Sequence, residues 1–155
     1  MTEPSDRAQI RVLPPVIPLL GMTPGFALQD FWPVGFLSLE VGVWLGRGLL
    51  VFAIALALAA VWRLKRANTG VDPRKTTTRL VTDGVFSVTR NPIYVAMTLF
   101  VVGVACYGNS LWVLLCAAPI GYALQKCAIE PEERYLAAKF GKAYLDYTAR
   151  VRRWV

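Results

Sequence analysis

At 155 residues, of which 55% are hydrophobic, the chain is more apolar than a soluble domain of its size tolerates, and it reads as a membrane protein. It has no histidine, which excludes Ser-His-Asp and Cys-His triads and histidine-based metal cages. The net charge of +7 comes with no recognisable nucleic-acid-binding fold, so it is assigned to membrane topology and to attraction toward anionic lipid.

The first apolar run, about residues 13–29, holds Pro14, Pro15, Pro18 and Pro24, which break or kink a helix, and is expected to be a broken first span. The polar residues before it do not resemble a cleaved signal peptide. The second run, about 41–62, is long enough to cross roughly 30 Å of hydrocarbon and is interrupted only by Arg47. Arg47 either faces an acceptor cavity or snorkels to the outer surface. Gly-x-Gly occurs only at Gly46–Gly48, inside this run, where close helix packing is the better reason for it than a dinucleotide fingerprint.

A polar stretch, residues 66–91, separates this span from two more apolar runs at about 92–107 and 111–129. Gly108-Asn109-Ser110 favours a tight turn between them, which predicts a helical hairpin. Cys106, Cys116 and Cys127 lie in these runs without CxxC spacing, so neither disulfides nor a metal site is expected. Basic residues follow one pattern: Arg7 and Arg11 precede the first span, Arg63 to Arg90 crowd the loop after the second, and Lys139 to Arg153 follow the fourth. That places both termini in the cytoplasm, with Trp32 and Trp112 at the outer interface and Trp62 at the inner one. The fold class predicted is thus an all-α integral membrane protein, a single domain over 1–155, with about four transmembrane helices and a cytoplasmic C-terminal amphipathic helix over 131–150.

Within the loop, Asp83-Gly84 predicts a turn in which Gly84 adopts positive φ. Asn91-Pro92 predicts a helix start, with asparagine as N-cap and proline at the first helical position. The exposed N–H groups of such a start can bind a carboxylate or phosphate, and Arg90 can add a second anion contact. Glu130, Glu132 and Glu133 flank Pro131; a helix beginning there would stabilise all three acids through its dipole. Leu136, Phe140, Tyr144, Tyr147 and Val151 then form a stripe suited to packing on the membrane domain. Glu132 shares that inward face, whereas Glu133 is turned by about 100° toward solvent or a basic loop residue.

Leu80-Val81-Thr82, Gly84, Arg90-Asn91-Pro92-x-Tyr94, Glu132-Glu133, Leu136, Phe140-Gly141, Tyr144 and Tyr147 agree in order and spacing with one known family. Over roughly residues 40–153 the chain resembles the isoprenylcysteine carboxyl methyltransferases and phospholipid methyltransferases of membranes. The resemblance implies S-adenosylmethionine as methyl donor, with cofactor contacts at Thr78, Leu80, Val81, Phe86, Asn91, Pro92, Ile93 and Tyr94. It places Glu132 toward the methyl acceptor, so Glu132 and, from its place at the helix start, Arg90 are the catalytic candidates, and Arg47, as a charge inside the second run, is a further candidate for the acceptor. The chain departs from the pattern at Asn91, where histidine is common, and at Ala128, where the prenylcysteine enzymes carry an arginine for the substrate carboxylate. An amine, a thiol or another small lipophilic nucleophile therefore fits the acceptor role at least as well as a carboxyl group. The expected partners are the lipid bilayer and that acceptor, and the sequence gives no oligomeric state. Two other classes stay open: a sterol-reductase-like membrane reductase using NADPH, and a non-catalytic small transporter or partner subunit.

Overall fold

The computed structural model describes residues 12–72 and 76–155, and these are helical with no strand among them. Arg7, Arg11, Arg74 and Lys75, which carry part of the charge pattern, lie outside the described residues. The proline-rich run forms two short helices, α1 (Val16–Gly21) and α2 (Thr23–Phe31), joined at Met22. Together they cover about 24 Å.

The long helix α3 (Leu39–Arg66) starts at Ser38, whose hydroxyl accepts from Val41 N–H, and ends in Arg63, Lys65 and Arg66, cations suited to the negative end of its dipole. Helix α4 (Pro92–Tyr107) packs along it. Their close approach depends on Gly46: a Cβ there would come within 2.4 Å of Tyr107 N. Gly48 meets nothing, so close packing explains only the first glycine of the Gly-x-Gly.

Helix α5 (Leu111–Leu124) returns from the hairpin turn, in which Asn109 adopts φ +44. Asn109 Oδ1 accepts from the N–H groups of Phe36 and Leu37, and its Nδ2 donates to Leu37 O. Ser110 Oγ donates to Gln29 Oε1, and Leu111 N–H donates to Val34 O. These bonds pair the backbone of the α2–α3 connection, which otherwise has no helix to satisfy it.

Helix α5 runs without interruption through a π-helical segment (Gln125–Ile129) into α6 (Glu130–Phe140). The widening, marked by Glu130 N–H donating to Gln125 O, immediately precedes Pro131. A proline ring clashes with the carbonyl four residues back in a regular helix, and a wider turn relieves that clash. The predicted C-terminal helix over 131–150 is in fact two helices, because Gly141, at φ +52, turns the chain into α7 (Lys142–Arg150). Its stripe is divided: Tyr144 and Tyr147 are buried, while Leu136 is on the other side of the break.

The core gathers Tyr94, Val101 and Ala105 of α4 against Val113, Ile120, Leu124, Ala128 and Ile129. Among the described residues two helices are long and apolar enough to cross a membrane, Leu39–Arg66 and the continuous Leu111–Phe140, and Pro92–Tyr107 is a shorter apolar helix. The apolar part of the second long helix ends at Ile129, and the polar α6 lies beyond it. Trp44, Val51, Phe52, Leu58 and Trp62 are exposed along α3, as a face turned to lipid would be.

Candidate functional site

One cavity of about 420 Å³ opens between the polar loop, the first turn of α4 and the inner faces of α6 and α7. Leu13–Pro15 and the end of α3 (Val61, Leu64) close its remaining side. Its size falls in the range of ordinary small-molecule sites. Leu80, Val81, Phe86, Arg90, Asn91, Pro92, Ile93, Tyr94 and Glu132 all line it, so residues more than fifty positions apart meet at one site.

Two of the residues singled out from the sequence do not line this cavity. The Thr78 hydroxyl donates to Asn68 O at 2.7 Å and its N–H donates to Thr69 Oγ1, so Thr78 anchors the loop while neighbouring Thr77 faces the cavity. Arg47 is exposed and lies over the Trp44 and Tyr107 rings, 5.4 and 5.9 Å from their centroids. Tyr107 ends α4 whereas Tyr94 lies in its first turn, so Arg47 sits about a helix length from this cavity, stacked on aromatic rings.

The loop is held from several sides. Gly84 adopts φ +61 at the start of a short 3₁₀ turn (Gly84–Ser87), next to an ion pair between Arg63 and Asp83. The Tyr147 hydroxyl donates to Phe86 O at 2.6 Å, and Tyr144 meets Tyr147 edge to face. Burial pushes the Tyr147 phenol up to about 12, so it stays protonated and acts as a donor.

The first turn of α4 differs from expectation. Asn91 does precede Pro92, but its side chain accepts no N–H from the helix. Its Nδ2 instead donates to the carbonyl of Arg153 at 3.0 Å, and the Thr89 hydroxyl donates to the same oxygen at 3.1 Å. Arg90 N–H donates to Arg152 O at 3.0 Å. Residues 152–154 thus run alongside 89–91, and Trp154 Nε1 donates to Gln125 Oε1 in the π-helical turn.

The three acids take three different environments. Glu130 pairs with Lys126 at 2.8 Å. Glu133 is held by both arginines: the Arg153 guanidinium donates to both of its oxygens, and Arg90 Nη2 lies 3.4 Å away. Glu132 pairs with no cation among the described residues and accepts a hydrogen bond from the Tyr94 hydroxyl at 2.7 Å. Burial pushes its carboxyl up to about 7, against the Tyr94 hydrogen bond, with the Glu133 charge adding to the rise. Arg90 keeps its Nε buried without a partner beside the same cavity.

A second, almost wholly apolar cavity of about 250 Å³ lies between α1, α3 and α4, lined by Pro18, Ala53, Ala57, Ala96 and Phe100 among others. It shares Pro15, Ile93 and Met97 with the first, so the two adjoin beneath the first turn of α4.

The model of the phospholipid methyltransferase family matches residues 41–143, which contain the polar loop, the start of α4 and the Glu132-Glu133 pair. The chain belongs to the phospholipid methyltransferase family. No curated protein and no solved structure matches it. The matched segment ends before Tyr144 and Tyr147, which line the cavity, and before the 152–154 tail, which bonds to residues 89–91 beside it. The tail is the element that sequence reasoning missed. Arg152 and Arg153 fit a topological charge pattern, and the one signal against that reading is Trp154, an aromatic residue at the end of a basic stretch.

Proposed function

We propose that this member of the phospholipid methyltransferase family transfers a methyl group from S-adenosylmethionine to a lipophilic nucleophile at the membrane surface. The observation that carries this reading is the juxtaposition, in one cavity, of an uncapped helix N-terminus and a carboxyl group that pairs with no cation among the described residues. The first N–H groups of a helix have no intrahelical acceptor, and with Arg90 Nε they suit the donor's carboxylate. Leu80, Val81 and Phe86 offer an apolar wall for adenine. When bound, S-adenosylmethionine supplies an electrophilic methyl carbon on a positively charged sulfur. Glu132 holds negative charge near that cation and accepts the proton that an amine or thiol sheds; its carboxyl, near neutrality, is matched to that work. In-line displacement at carbon demands alignment and exclusion of water, which an apolar cavity at the end of a helix bundle provides.

The adjoining apolar cavity supports an acceptor with a hydrocarbon part, seated between α1, α3 and α4 with its nucleophile toward Glu132. Ala128, buried in the core, brings no cation for an acceptor carboxylate, which favours an amine or a thiol. We further assign four membrane passages, with α1 and α2 together as the first, one methyltransferase domain over 1–155, both termini cytoplasmic, and α6 and α7 covering the site from that side. The test is transfer of labelled methyl from S-adenosylmethionine into a total lipid extract by the reconstituted protein. Label in the organic phase is expected with the wild type and a loss of at least about tenfold with Glu132→Gln, donor affinity being retained. No labelled lipid from any extract, or normal turnover in Glu132→Gln, overturns the respective assignment.

A further inference from the structure

Asparagine is among the strongest N-caps, and Asn91 stands where a cap belongs, immediately before Pro92 at the first helical position. It is buried and does not cap. Its amide is spent on the carbonyl of Arg153, a residue that is itself fixed to Glu133 by a two-oxygen contact and is followed by Trp154 on Gln125. Thr89, on the other side of Arg90, donates to that same carbonyl and accepts from the Asn91 backbone N–H at 3.2 Å, so the Asn91 backbone is tied to the carbonyl that its side chain engages.

We propose that the C-terminal tail keeps the N-terminus of α4 open: by drawing the Asn91 side chain onto Arg153 O, it leaves the first N–H groups of that helix uncapped and facing the cavity for the donor's carboxylate. This rests on the donor site proposed above and adds a positioning role for Asn91 and for the 152–154 segment, which lies beyond the part of the chain that matches the family. Asparagine suits the task because its Nδ2 donates, whereas an aspartate in the same place can only accept. An aspartate would be repelled by the Arg153 carbonyl, would swing onto the free N–H groups and would cap α4. It would also set a negative charge where the ligand's carboxylate is to lie.

The discriminating pair is Asn91→Asp and Asn91→Ala, each in the full-length detergent-solubilised protein, titrated calorimetrically with S-adenosylmethionine and melted thermally. Asn91→Asp is expected to keep or raise Tm, because it gains a cap, while weakening the donor by about tenfold or more. Asn91→Ala loses the tether without closing the helix end, and is expected to lower Tm and to weaken the donor less than Asn91→Asp. A residue of merely structural importance would move the two measurements together. Donor affinity in Asn91→Asp within about threefold of the wild type, affinity lost equally in both variants, or a Tm lower for Asn91→Asp than for Asn91→Ala overturns the inference. A wild type that gives no heat overturns the donor site and this inference with it; a wild type that binds leaves the two variants to decide the tail's role alone.

Discussion

The Tyr94 hydroxyl donates to Glu132 Oε2 at 2.7 Å, joining the first turn of α4 to α6 across the cavity. The contact ties together two segments separated by the whole hairpin, and it favours the ionised form of an acid that burial holds near neutrality.

If Glu132 must be ionised for turnover, methyl transfer rises through about pH 7 and levels above it. Tyr94→Phe removes the bond that favours the carboxylate, so the acid limb of the pH–rate profile moves to higher pH. A profile of labelled-lipid formation from pH 5.5 to 9 checks the direction; a limb that stays put or moves down contradicts the role of the pair.

Glu132 also carries a stability cost with a defined sign. Its carboxyl is raised from 4.5 to about 7 in the folded protein, so the unfolded chain ionises first as pH rises. Folded stability is therefore favoured below pH 4.5 and declines between there and about 7, by a few kcal/mol at most. Glu132→Gln should raise Tm at pH 8 more than at pH 5, and equal gains at both would show that the acid is not held protonated.

Glu133 has the opposite character. Its side chain, 14% exposed, is enclosed by Arg90 and Arg153. Glu133→Gln leaves two partly buried guanidinium groups without a counter-charge and is expected to lower stability by about 1–3 kcal/mol. Thermal melts of the two variants give the comparison: Glu133→Gln falls where Glu132→Gln rises.

At the other end of the molecule, Asn109→Ala removes three hydrogen bonds to the α2–α3 connection and leaves partly buried backbone groups unpaired. A loss of about 2–4 kcal/mol is expected, with donor affinity unchanged, because the cavity lies a helix length away. A change in affinity beyond about threefold would mean that the two ends are coupled.

The helices were legible because apolar length and turn residues act locally: Asn109 marks the hairpin, and Gly84 takes the left-handed conformation that its turn requires. Most of the cavity lining could also be placed, because the loop, the Asn91-Pro92 start and the Glu132 face are each read within a few residues. What escaped depended on distant partners. The rotamer of Asn91 is set by a carbonyl sixty-two positions away, and the fate of Glu133 by Arg90 and Arg153 together. The break at Gly141 lay within a stripe whose spacing fits one continuous helix equally well, and only its positive φ reveals it. Arg47 was ambiguous for the same reason, since helix periodicity does not say which end of a span faces the site.

Calorimetric titration of the purified protein with S-adenosylmethionine, S-adenosylhomocysteine and NADPH tests the donor site most directly. Saturable heat with both adenosyl ligands and none with NADPH is the predicted result. No heat with either adenosyl ligand, or saturable binding of NADPH in their place, would contradict it.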